Sequence, residues 1–193
     1  MKFVTVVFFV FPFLLSVGHS MSPYVHQVTN KIKSLSREDL KGLKRGHGTP
    51  FGGMAKAAEL NGLPGPRHVL DLKGELGLTL EQIKKIEGIY KKMNEKAVKV
   101  GRELVAKEAF MDREFQEGRV NPKNLEQMVS DSAQKYSQLR YIHLVAHLET
   151  AKVLQKKQVD QYNELRGYTS GDPCKNIPKG HPPAMWKKHH GCE

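Results

Sequence analysis

Leu78-Thr79-Leu80-Glu81-Gln82 opens the stretch that decides the fold of this chain. Thr79 stands where an N-cap belongs and Gln82 three positions on, the reciprocal pair in which each side chain covers a backbone donor orphaned by the first helical turn. Behind it Ile83, Ile86, Tyr90, Met93, Ala97, Val100 and Leu104 recur at alternating spacings of three and four. That is a heptad seam held for about three heptads, and it predicts one long helix over residues 80 to about 117. Lys107 interrupts the seam, and Met111 with Phe110 and Phe115 resumes an apolar face. Gly101 sits mid-helix, where glycine weakens the helix by about 1 kcal/mol relative to alanine or permits a bend.

Gly118 and Asn121-Pro122 close this helix and cap the next, predicted over 122–153, where Leu125, Val129, Tyr136, Leu139 and Leu154 fall near one line of the helix surface. A degenerate copy of the opening motif, Leu154-Gln155-Lys156-Lys157-Gln158, starts a third helix over 156–166, stopped by Gly167. Gln155 stands in place of threonine there, which leaves the capping open but not the helix. Upstream, Ser36 and Asp39 cap a short helix that Gly46 stops, 46–53 is a Gly-rich loop, 54–60 makes one or two helical turns, and Pro66 begins a helix running to about 76. No segment alternates as a strand does. The expected fold is therefore all-α: a long antiparallel helical hairpin with short flanking helices. A lone hairpin of this kind buries too little apolar surface, so dimerisation is expected.

Met1 and Lys2 precede an apolar run over 3–17, and Gly18 and Ser20 offer a cleavage site, so residues 1–20 read as a secretory signal. The run is shorter than the roughly 20 residues that span a bilayer, which makes an uncleaved membrane anchor the lesser reading. The chain is divided as 1–20 signal peptide, 21–53 short helix and linker, 54–168 helical domain, and 169–193 a tail rich in Cys, His, Pro and Lys. Removing Lys2 from the 31 basic residues leaves 30 against 20 acidic ones, a net charge of about +10. The positives are spread along helices and not clustered with aromatics, and an exported protein rarely meets nucleic acid, so acidic client proteins or an anionic surface fit better than a nucleic-acid partner.

Catalysis is excluded on motifs. No His-Glu-x-x-His, Gly-x-Ser-x-Gly, Cys-x-x-Cys or phosphate loop occurs, and the chain reads as non-enzymatic. His143 and His147 share one helix face and have the spacing of a chelating pair, to be completed by His68, Glu149 or a second subunit; the plainer reading makes them seam residues satisfied by neighbours. Cys174 and Cys192 either close the tail as a disulfide or, with His181, His189 and His190, offer ligands suited to zinc or copper. Lys84, Lys85, Lys91, Lys92, Lys96 and Lys99 are either solvated helix surface or a basic surface for clients, with Met93, Met111 and Met128 as its adaptable apolar part.

The paired motif resembles the LTxxQ family of small periplasmic stress proteins, which includes the Spy/CpxP chaperones and heavy-metal-resistance and sensor proteins. The resemblance spans 54–168 and extends to Ala55-Lys56-Ala57-Ala58-Glu59-Leu60-Asn61-Gly62, Pro64-Gly65-Pro66-Arg67-His68-Val69-Leu70, His147-Leu148-Glu149-Thr150 and Tyr162-Asn163-Glu164-Leu165-Arg166-Gly167-Tyr168. It implies a cradle-like helical homodimer in the periplasm that needs no cofactor and holds unfolded clients without ATP. The family's other branch implies binding of zinc, copper or nickel through His-x-x-x-His and His-x-x-x-Met pairs, of which the core has only His143/His147. A third implied role is occupation of a sensor protein's periplasmic domain.

Overall fold

The computed structural model describes residues 21–48, 53–169, 174–175, 177 and 182–192. Within them a 3-10 turn at Val25–Gln27 is followed by α1 (Arg37–Arg45), α2 (Lys56–Glu59), α3 (Pro66–Asp71), α4 (Leu80–Gln116), α5 (Pro122–Val153), α6 (Lys156–Leu165) and α7 (Pro183–His190). The protein is all-helical, dominated by the two long helices α4 and α5, with no strand among the described residues. The expected signal segment lies outside them. Among the described residues no helix is long and apolar enough to cross a membrane.

The helices α1, α4 and α5 begin where a side chain covers their orphaned amides, whereas α2, α3 and α7 start without one. Thr79 Oγ1 accepts from Gln82 N at 3.2 Å and Gln82 Oε1 from Thr79 N at 3.1 Å. Ser36 and Asp39 do the same for α1, as do Asn121 and Asn124 for α5. Gly118 closes the intervening turn with φ +67, a conformation that costs a side chain but not glycine. At α6 the cap is one-sided: Gln158 Oε1 accepts from Gln155 N at 2.9 Å, whereas Gln158 N bonds the Gln155 backbone carbonyl.

The α4 seam is the spine of the core. Ile86, Met93, Ala97 and Leu104 are buried, and Ile83, Tyr90 and Val100 partly so. Its centre packs with Leu139 and Ala146 of α5 and, from the other side, with Ile32, Leu35 and Leu43. The segment before and within α1 thus belongs to the same core as the long helices. Ser34 Oγ donates to Glu108 at 2.7 Å, and Asn94 Nδ2 caps the end of α1 through Arg45 O at 2.7 Å. The role of Gly101 follows from this crossing. A Cβ there would lie 2.3 Å from Leu43 O, so the glycine admits the α1 backbone. A second cluster joins Val69, Leu76, Ile86, Leu154 and Tyr162 at the end of the molecule where α4 starts.

Four expectations are corrected. Phe110 and Phe115 are exposed, so they do not join an apolar face beyond Lys107; Met111 is partly buried and Ala109 packs against the core there, while Lys107 pairs with Asp131 of α5 at 2.6 Å. On α5, Val129 is 51% exposed while Met128 and Ser132 are buried, so the first turns present a line one residue away from the expected stripe. The helix begun by Pro66 ends at Asp71, because Leu72 leaves helical geometry at φ −105 and ψ 18, and residues 73–77 form turns up to Gly77. The tail contains α7, with Pro183 at its first position and Gly191 closing it at φ +66, the proline-first, glycine-last pattern of short helices.

Candidate functional site

The two copies of the opening motif meet. Gln82 Nε2 donates to Gln158 Oε1 at 2.8 Å and to Val153 O at 3.0 Å; Gln158 Nε2 donates to Gln82 Oε1 at 3.2 Å and to Leu76 O at 3.2 Å. Each amide therefore caps its own helix and clasps the other helix's cap. This explains why a capping residue should be glutamine at both N3 positions: a shorter carboxamide would not reach across, and a carboxylate could not donate. The clasp organises structure and holds no reactive group.

Beside it, α2, α3, α5 and the end of α6 converge on Glu59, a residue the spacing of the sequence does not single out. Its Oε1 accepts from Tyr162 Oη at 2.6 Å and Tyr168 Oη at 2.9 Å, with Arg166 Nε at 3.4 Å and His68 Nδ1 at 3.5 Å. Burial by itself would raise the Glu59 pKa, but hydrogen bonds from His68, Tyr162 and Tyr168 outweigh it and hold the carboxyl at about 2. Burial and the same hydrogen bond push the Tyr162 phenol upward, so it remains the donor. The signal in the sequence is faint, since Glu59 and Tyr162 are 103 residues apart.

His143 and His147 are both buried on α5, at 8% and 7% exposure. His147 Nδ1 lies 2.7 Å from Leu63 O and 3.7 Å from Glu59 Oε2. A carbonyl only accepts, so Nδ1 carries the proton. The ring packs on Gly65, where a Cβ would meet its Nε2 at 2.7 Å. His143 Nε2 is buried with no hydrogen-bond partner, and burial first, then the neighbouring His147, lowers its pKa to about 4. His143, His147, His68 and Glu59 line one cleft of about 520 Å³. Glu149 does not line it; that side chain lies 3.8 Å from Lys92. As placed, several of these donors are already engaged. His147 Nδ1 is engaged by Leu63, Glu59 Oε1 by two phenols, and among the described residues no three His, Cys, Asp or Glu are disposed to hold a metal ion.

In the tail, Cys174 and Cys192 form a disulfide with Cα atoms 5.5 Å apart. A disulfide sulfur is not a thiolate, so the soft donors of the tail metal reading are not available in this state. His181 and the side chains of His189 and His190 lie outside the described residues.

All six lysines singled out on α4 are exposed. At about 100° per residue they occupy an arc of about 140° on the helix, which Arg102 and the exposed Phe110 share. Lys85 pairs with Glu81 at 2.7 Å, an exposed contact of small energetic weight.

Compared with protein families, curated proteins and solved structures, the chain matches none. The resemblance to the LTxxQ proteins therefore rests on the residues quoted for it.

Proposed function

We propose that this is an exported, non-enzymatic stress protein that keeps unfolded or acidic client chains soluble, without ATP, on the basic outer face of α4. The observation that carries this reading is that face: six exposed lysines and Arg102 on one arc with Phe110 among them. Glu81 and Glu95 are exposed on the same arc, so the face is positive in excess and not throughout; an excess of one sign attracts acidic segments over a Debye length, and an exposed aromatic adds a short-range apolar contact. The working form is a dimer of helical hairpins. Lys92–Glu149, Glu103–Lys135 and Lys107–Asp131 support the hairpin, because the α5 partner moves back along the chain as the α4 partner moves forward.

The test is suppression of aggregation of a chemically denatured protein at equimolar dimer. Suppression is expected without nucleotide, weakening as salt rises, and reduced by the triple change Lys84→Glu, Lys91→Glu, Lys99→Glu. No suppression at any salt concentration would sink the reading. Binding to a sensor protein's periplasmic domain would use the same face. The metal-binding alternative has one observation in its favour, four imidazoles (His47, His68, His143 and His147) and the Glu59 carboxylate lining one cleft. Calorimetric titration with zinc, copper and nickel tests it; defined stoichiometry lost in His143→Ala/His147→Ala would establish it.

A further inference from the structure

The cleft lined by Glu59 and the histidines has a mouth whose chemistry neither reading uses. Lys56, Arg67 and His47 are exposed residues of its lining. His47 is shifted downward by burial and then by the positive charges of Arg67, Arg45 and Lys41, so three cations bear on this one point. Glu59 is the single acid among the lining residues, and its charge is engaged inward by Tyr162, Tyr168 and Arg166. Asp71 approaches Arg67 only to 4.0 Å, with both side chains more than half exposed, which leaves the guanidinium largely uncompensated. Behind this rim the wall is apolar: Met54, Tyr90, Met93 and Ala146. At about 520 Å³ the cleft falls in the range of pockets that enclose small organic ligands.

We propose that this cleft binds an apolar carboxylate, its head held by Lys56, His47 and Arg67 and its body laid over Met54, Tyr90 and Met93. Neither half of the site recognises such a ligand alone: the cations are too exposed to hold a bare anion, and an uncharged apolar body leaves the rim unused. The chemistry has two natural sources, a fatty acid and the free C-terminus of an apolar peptide. The inference stands apart from the client-holding face on α4.

Calorimetric titration of the purified protein, as recovered from expressing cells, tests it with decanoate, decyltrimethylammonium and acetate. Decanoate is expected to bind at one site per chain, with the cation, whose tail is one methylene longer, and the tailless anion each at least about tenfold weaker. Lys56→Glu with Arg67→Glu, both on exposed positions, should weaken decanoate by at least about tenfold, while Lys84→Glu with Lys91→Glu on α4 should not change it. Acetyl-Leu-Leu-Phe with a free carboxylate, compared with its amide, separates the sources. A preference for the acid peptide over decanoate assigns the site to chain termini, and the reverse assigns it to fatty acids. Equal binding of decanoate and the cationic amphiphile, or a loss caused by the α4 variant and not by the rim variant, would overturn the proposal.

Discussion

Two titratable residues, the buried His143 and the half-buried Glu59, make the stability of this protein respond to acid in separate windows. His143 is neutral in the fold, with its pKa lowered from 6.5 to about 4. Between those values the unfolded chain binds more protons than the folded one, so stability is lost as pH falls from 6.5 towards 4. Glu59 is ionised in the fold with its pKa lowered from 4.5 to about 2, and its contribution, complete above 4.5, is lost as pH falls from there towards 2. Urea titrations across both windows should show His143→Leu flattening the upper one alone and Glu59→Gln the lower one alone. At neutral pH the first change should be neutral or stabilising by about 1 kcal/mol, since it removes an unpartnered polar atom, and the second should cost about 2 kcal/mol. Gly101 matters to stability through its size. Its replacement by alanine gains about 1 kcal/mol of helix propensity but drives a Cβ into the Leu43 carbonyl, overpacking that costs about 1–3 kcal/mol. A lowered urea midpoint is expected; an unchanged or raised one would mean that α1 does not cross α4 this closely. Sequence spacing places Gly101 mid-helix and cannot say what approaches it.

At the scale of elements, helix starts were legible because capping is local: Ser36 with Asp39 and Thr79 with Gln82 each lie within four residues and form the expected boxes. The seam on α4 was legible for the same reason, since one turn repeats the last. The α5 stripe was read one position off at its start because its apolar residues are sparse there, and packing chose Met128 over Val129. The contact between the two motifs was not legible at all, being a property of two helix ends that meet across 76 residues of chain. It is measurable as coupling. Gln82→Ala and Gln158→Ala should each cost about 1–2 kcal/mol, and the double variant less than their sum by about 0.5–1.5 kcal/mol. Strict additivity would show that the amides cap their own helices without clasping one another.

Across the whole molecule, the long helices, the segment before α1 and the short helices around Glu59 share two core clusters, and no described α7 residue belongs to either. The disulfide joins Cys174 and Cys192, so it constrains the tail and not the body. Trp186 is the single tryptophan, and it lies on α7. Reduction should therefore change tryptophan fluorescence while the far-ultraviolet melting of the helical body stays within a few degrees, a loop of this size being worth about 3 kcal/mol to what it encloses. Parallel loss of both signals would place the tail in the cooperative body.

Read without coordinates, this chain specifies helices, their caps and their buried stripes, because those depend on residues one to four positions apart. It also specifies a basic face, since charge follows from composition and angle alone. Packing decided which caps clasp, which glycine admits another backbone, and that Glu59, not Glu149, accompanies the histidines. Those outcomes depend on shape and burial between segments up to a hundred residues apart, for which periodicity carries no signal.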